Sequence, residues 1–170
     1  MTGFGLRTSL TAAAVACLSV AGPSGAQITA TKPPTVLFLC PHGAAKSVLA
    51  SAYFQRAAKE RGLNVRVDSA GTEPDEHVSS AVATHLTKNG YAVPIAKPRK
   101  VTSSDIASAD VIISIGCDLK NLPAQPPANT LRNWDEVPAP SEDFARADDA
   151  IKKRVMDLVE ELVRKQQTSR

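Results

Sequence analysis

Aromatic side chains are scarce in this chain, at 4% of residues against a hydrophobic fraction of 43%. Val, Ile, Leu and Ala must therefore fill whatever core it builds. The few aromatics are nowhere interleaved with a basic stripe, and the formal net charge is only +3, which argues against nucleic acid as a partner. There is no run of about 20 apolar residues, the length a helix needs to cross a bilayer. There is no C-x-x-C pair, which excludes a zinc ribbon or a thioredoxin-type motif. Nor is there a nucleotide-binding Walker loop, which needs two bracketing glycines ahead of its Lys-Ser/Thr. Internal repeats and low-complexity segments are absent too, and 170 residues are enough for one domain but not two. No cofactor or metal site is predicted.

The N-terminal stretch has the pattern of a secretory leader. Arg7 supplies a basic start, Leu10 to Ala21 an apolar centre, and Ser24-Gly25-Ala26 a small-residue cleavage site. Residues 1–26 are expected to be a signal peptide, 27–34 an extended lead-in and 35–167 the folded domain. Export to a periplasm or the exterior follows, with no membrane association after cleavage. Loss of Arg7 leaves 20 − 1 = 19 Lys plus Arg against 17 Asp plus Glu. Cys17 goes with the leader, leaving Cys40 and Cys117. In an oxidising compartment two cysteines are either one disulfide or two special thiols.

Short apolar, β-branched runs alternate with amphipathic ones. Strands are expected at Thr35–Leu39, Asn64–Asp68, Asp110–Gly116 and Thr130–Trp134, and helices at Ser47–Arg61, His77–Lys88, Ser103–Ala109 and Ser141–Gln166. Ser69-Ala70-Gly71-Thr72 reads as a turn and 121–129 as a proline-rich loop. In the last helix Phe144, Ala147, Ile151, Val155, Leu158 and Leu162 form the apolar stripe. This alternation predicts an α/β doubly wound sheet.

In such a sheet ligands bind beyond the carboxyl ends of the strands, where a loop meets the next helix. Cys40 stands at that edge. In the oxyanion-binding loop, Pro41-His42 through Lys46, Gly43, Ala44 and Ala45 carry almost no side chain, so successive backbone N–H groups are able to converge on one anion. The helix beginning at Lys46-Ser47 adds its unpaired N–H groups and positive dipole end. That field favours the thiolate of Cys40 and makes it a nucleophile toward phosphorus or arsenic. Ser47 is placed to donate to the sulfur, and His42 to bond the thiolate or a bound oxyanion. His77 and His85 read as surface histidines.

Cys40-x5-Lys46-Ser47 resembles the Cys-x5-Arg-Ser phosphate loop of the low-molecular-weight protein tyrosine phosphatases and of the thiol-dependent arsenate reductases built on the same fold. Val67-Asp68-Ser69-Ala70-Gly71-Thr72 resembles that family's segment after its second strand. Ala109 to Cys117 resembles the strand of its arsenate reductase branch, and Trp134 to Pro140 the segment before its terminal helix. The resemblance implies a three-layer α/β fold, a four-stranded parallel sheet flanked by helices. Within it the chain departs at three places. Gly43 replaces a loop asparagine, Lys46 replaces the arginine, and Ala139 falls at the general-acid aspartate. The set resembles a variant subfamily with Cys-x-His-Gly-x-x-Lys-Ser loops. Lysine keeps the charge but loses the planar fork that clasps two oxygens.

Three functions stay open at this point. One is an exported phosphomonoesterase with Cys40 as nucleophile, Lys46 and the loop amides as oxyanion stabilisers, and Asp135 or Glu136 as the acid. Another is an arsenate reductase in which Cys117, put beside Cys40 by the family's strand order, resolves the adduct and an external thiol reductant completes the cycle. The last is a protein that binds phosphate, arsenate or a similar oxyanion without turnover.

Overall fold

Residues Val36 to Leu39 are almost completely shielded from solvent, at 1% exposure or less, as an apolar run covered on both sheet faces must be. The computed structural model describes residues 1–2 and 32–168. The expected signal peptide therefore lies largely outside the described residues. From Lys32 onward the chain forms one unit. Its elements are β1 (Thr35–Cys40), α1 (Lys46–Glu60), β2 (Arg66–Gly71), α2 (Ser80–Lys88) and α3 (Ser103–Ser108), followed by β3 (Val111–Ser114), β4 (Leu131–Asn133) and α4 (Phe144–Thr168). A short 3-10 turn, Leu119–Asn121, lies between β3 and β4. All pairings are parallel, in the order β2-β1-β3-β4, so the doubly wound expectation holds.

Alternation along β1 divides the core. Phe38 and Cys40 pack with Leu49 of α1 and Ile151 and Val155 of α4, whereas Leu37 and Leu39 pack with Ile106 of α3 and Ile112 of β3. Helices thus cover both faces of the sheet, giving three layers. Phe38 meets Phe54 edge-on, ring centroids 5.6 Å apart, one of few aromatic contacts in an aliphatic core.

Three sequence expectations need correction. Ser69-Ala70-Gly71 is the end of β2 and not a turn, because these residues pair in register with Phe38, Leu39 and Cys40. Small side chains hid a strand whose extent is set by its neighbour. Both α2 and α4 begin three residues later than their apolar periodicity suggests, at Ser80 and Phe144. The Ser79 N–H is spent instead on the Ala44 carbonyl, and those of Glu142 and Asp143 on the Ala139 carbonyl. His77 is exposed as expected, but His85 is not a free surface residue. Its Nε2 lies 3.1 Å from the Tyr53 hydroxyl and 3.3 Å from Asp148 Oδ2. Asp148 is buried, accepts from the Tyr53 hydroxyl, and takes Lys152 Nζ at 2.6 Å. Burial and this carboxylate push the Tyr53 phenol well above its usual range. The cluster ties α1, α2 and α4 together.

Two glycines hold the sheet edge in contact with the loop that follows β1. A Cβ added to Gly71 would lie 2.6 Å from Gly43 N and 2.8 Å from Pro41 O, both backbone atoms. Gly43 itself has φ +61°, a conformation that costs side-chain-bearing residues energy. Gly71→Ala is expected to force the two segments apart and destabilise the protein by about 1–3 kcal/mol, read as a lower urea midpoint at unchanged slope.

At the other sheet edge Arg132 of β4 clasps Glu161 of α4 with both nitrogens, at 2.6 and 2.7 Å. The Arg132 guanidinium, helped by Lys165, lowers the Glu161 carboxyl from 4.5 to about 2. A depressed folded-state value stabilises the protein above the unfolded value, and that contribution is lost as pH falls through about 2. Glu161→Gln should therefore lower the urea midpoint at neutral pH and flatten its decline between about pH 5 and pH 2.

Candidate functional site

The loop Pro41–Ala45 joins the end of β1 to α1, and its shape is set from outside. The carbonyls of Pro41, His42 and Ala44 accept hydrogen bonds from the backbone N–H groups of Glu73, Asp75 and Ser79, at 2.8, 3.0 and 3.0 Å. In a trans peptide the carbonyl and the following N–H point opposite ways. With these carbonyls drawn outward, the N–H groups that follow them turn back into the loop; that of Gly43 goes to the Cys40 carbonyl at 3.4 Å, and those of His42 and Ala45 are left to form a concave nest for an anion. Gly43 makes this possible by its positive φ and by allowing the close approach to Gly71.

Ala45 occupies the N-cap of α1 and has no side chain with which to cap it, and the first turn contains no acid. Helix N-termini normally satisfy such N–H groups with a Ser, Thr, Asp or Asn side chain. Here they are left for a ligand, with the positive end of the helix dipole behind them.

Cys40 is 97% shielded, with 3% exposure, and its Sγ donates to Ser47 Oγ at 3.2 Å. Once the sulfur is ionised the same hydroxyl is placed to donate to it. Lys46 lines the cleft, and its Nζ lies over Gly116, where an added Cβ would be only 2.8 Å away. Gly116 follows β3 with φ +74°, so this glycine both makes the turn and leaves room for the amine.

Cys117 is a free thiol, as is Cys40, and both are buried. Burial first, and then the charge of Cys40, push the Cys117 thiol up to about 11, against smaller opposing effects of Ser114, the Ile115 N–H and Lys46. Two neighbouring thiolates repel. At neutral pH Cys117 is therefore held as a thiol.

A cleft of about 410 Å³ opens above the loop. Cys40, Pro41, His42, Ala44, Ala45 and Lys46 form its floor, while Ala81, Ala139, Pro140 and Phe144 supply apolar walls. Phe144 is backed by His85, ring centroids 4.8 Å apart, so the buried Tyr53–Asp148–His85 cluster also supports this wall. The remaining polar lining comes from Asp75, Ser79 and Ser141.

Cys40, His42, Lys46 and Ser47 are thus brought together as the sequence suggests. Asp135 and Glu136 are not brought to the cleft. They sit at the corner of a turn closed by Val137 N–H to the Trp134 carbonyl. Trp134 and Val137 point into the core and leave the two carboxylates exposed. Glu136 is bound there by Arg154 of α4, which also lowers its carboxyl below the ordinary range. Ala139, by contrast, lines the cleft.

The residues that sequence reading missed are Asp75 and Gly116. His42 Nδ1 lies 3.2 Å from Asp75 Oδ1 at the rim. Asp75 belongs to an acidic stretch, Glu73-Pro74-Asp75-Glu76, with no pattern of its own. Gly116 differs in that it carried a readable signal, a glycine ending the strongest core strand beside a cysteine.

Comparison with known proteins agrees with this geometry. Residues 35–168 match the family model described as low molecular weight phosphotyrosine protein phosphatase. A putative arsenate reductase of Halobacterium salinarum is 28% identical over 73% of this chain and 89% of its own. A thioredoxin-dependent arsenate reductase of Corynebacterium glutamicum shares the fold with TM-score 0.67 and 27% identity, over 83% of this chain and 65% of that one. This chain therefore spans slightly under two thirds of the Corynebacterium protein. A low molecular weight phosphotyrosine phosphatase of Vibrio cholerae gives TM-score 0.66 and 26% identity, over 75% of this chain and 95% of its own. The anion nest, the Cys40–Ser47 pair and the match across the whole folded unit lead to one assignment: this chain belongs to the low molecular weight phosphotyrosine protein phosphatase family.

Proposed function

We propose that the protein is a cysteine-dependent phosphomonoesterase. The observation that carries this reading is the outward bracing of the loop carbonyls, which leaves a preformed amide nest around a nucleophile paired with Ser47. In the first step Cys40 Sγ attacks phosphorus, the ester P–O bond breaks, and a cysteinyl phosphate forms. Loop amides and the Lys46 ammonium hold the equatorial oxygens as negative charge spreads over them. Water then attacks phosphorus and the S–P bond breaks. The Ser47 hydroxyl stabilises the sulfur as it leaves.

The state of Cys117 favours hydrolysis over thiol redox chemistry, because a thiol raised to about 11 is a poor nucleophile at neutral pH. A second reading has its own support. Cys117 is close enough to Cys40 to feel its charge, and that proximity is what attack of one sulfur on the other needs. Arsenate reduction would follow this route: Cys117 attacks Cys40, arsenite leaves, and an external thiol reduces the disulfide.

The substrate reading goes with a place of action. The leader-like pattern of residues 1–26 supports export and work outside the cytoplasm. Mass spectrometry of the protein recovered from an extracytoplasmic fraction should find a new N-terminus at Gln27. An intact Met1 would refute this.

Turnover of p-nitrophenyl phosphate should be abolished in Cys40→Ser. It should fall about 10²-fold in kcat/KM in Lys46→Met, the usual cost of losing one oxyanion-stabilising group. Cys117→Ser should leave it within a few-fold. Loss of arsenate turnover in Cys117→Ser, with no p-nitrophenyl phosphate hydrolysis by the parent protein, would establish the second reading instead. Saturable phosphate binding without either reaction would identify a binding protein.

A further inference from the structure

Expulsion of an ester oxygen requires a proton, since an alkoxide or phenoxide is a far worse leaving group than its conjugate acid. The cleft offers few sources. Among the described residues lining it, only Cys40, His42, Lys46 and Asp75 are titratable. Cys40 is the nucleophile and Lys46 carries the charge that stabilises the oxyanion. Asp135 and Glu136 do not line it, and Glu136 is tied to Arg154. Ala139, on the wall facing the loop, has no proton to give.

That leaves a pair whose geometry suits the task. Asp75 holds His42 twice: its backbone N–H donates to the His42 carbonyl at 3.0 Å, and its Oδ1 lies 3.2 Å from His42 Nδ1. The carboxylate occupies Nδ1 and leaves Nε2 as the ring nitrogen able to donate, as the acidic partner of a catalytic histidine does. We propose that His42, oriented by Asp75, is the general acid of this site, donating from Nε2 to the leaving oxygen. The inference rests on the phosphomonoesterase reading.

The steps balance. As Cys40 Sγ bonds to phosphorus and the P–O bond breaks, the Nε2 proton of the imidazolium passes to the leaving oxygen. The neutral imidazole then takes a proton from the attacking water. The S–P bond breaks, its electron pair stays on sulfur, and the imidazolium is restored. His42 is the catalytic residue; Asp75 is a positioning residue acting through it.

The device also fits the loop's construction. The same Asp75 that turns the His42 carbonyl outward, shaping the nest, holds the imidazole at its mouth. Proton donor and oxyanion site are thereby set by one short segment between β2 and α2.

The test is the dependence of kcat/KM on the leaving group, measured on the full folded domain with p-nitrophenyl phosphate and phenyl phosphate. The nitro group stabilises the departing phenolate, so loss of the acid matters less for that ester. His42→Gln is expected to lower kcat/KM for phenyl phosphate about 10²-fold, with a fall of less than tenfold for p-nitrophenyl phosphate. Asp75→Asn keeps the backbone bond to the loop and should widen the same ratio in the same direction, by a smaller factor. Both side chains are more than half exposed, at 62% and 55%, so the variants are expected to fold, and an unchanged urea midpoint checks this. If wild type hydrolyses both esters through Cys40 and the ratio is the same in His42→Gln, the inference is overturned while the phosphatase reading stands. A ratio widened only by the double variant Asp135→Asn, Glu136→Gln also overturns it. Absence of Cys40-dependent hydrolysis of either ester sinks the parent reading and the inference together.

Discussion

The shape of the loop after β1 depends on three backbone hydrogen bonds that leave it outward. Glu73, Asp75 and Ser79 donate to Pro41, His42 and Ala44. Each bond contributes only about 0.5–1.5 kcal/mol net. Their larger effect is orientational. They fix the planes of the peptide units that follow Cys40, so the donors facing an oxyanion need no reorganisation when charge develops. The bracing segment can come this close only because Gly43 and Gly71 meet without side chains. The sheet supplies the remaining constraint, since the register that pairs Cys40 with Gly71 delivers both segments to the same edge.

The parts of this arrangement written in side chains were legible in the sequence, and the parts written in backbone were not. Cys40 at the end of an apolar run, followed by Gly43, Ala44, Ala45 and Lys46, indicates a strand, a nest and a helix start by composition alone. The bracing donors are main-chain groups of Glu73, Asp75 and Ser79, whose side chains carry no mark of that role. Ser69 to Gly71 looks like a turn because small residues have little strand preference of their own. The partner strand β1 overrides that preference. The later starts of α2 and α4 have a related origin. Apolar periodicity runs on into residues whose N–H groups are needed elsewhere, at the loop in one case and at Ala139 in the other.

His85 was misread for a different reason. Its partner Asp148 lies on the buried face of α4, one position after Ala147 in the apolar stripe. A periodicity argument treats a charged residue as solvent-facing and so finds no partner for the histidine. Burial of Asp148 is tolerable because the Tyr53 hydroxyl and Lys152 both satisfy it. The cluster reaches function through packing: His85 lies against Phe144, which lines the cleft.

The substitution of lysine at position 46 belongs with the glycine at 116. A lysine lacks the planar fork that clasps two oxygens, but it presents a compact charge with three donors, and the space over Gly116 admits the amine, close enough to Cys117 to act on its thiol. Burial and the Cys40 charge outweigh Lys46 at Cys117, whose thiol stays raised to about 11. The positive field of the helix start and the Ser47 hydroxyl are both available to Cys40. Cys117 is held protonated while Cys40 carries charge. Hydrolysis does not require Cys117 to ionise. Reduction of arsenate would require it, and only after the first sulfur had been consumed in a covalent bond.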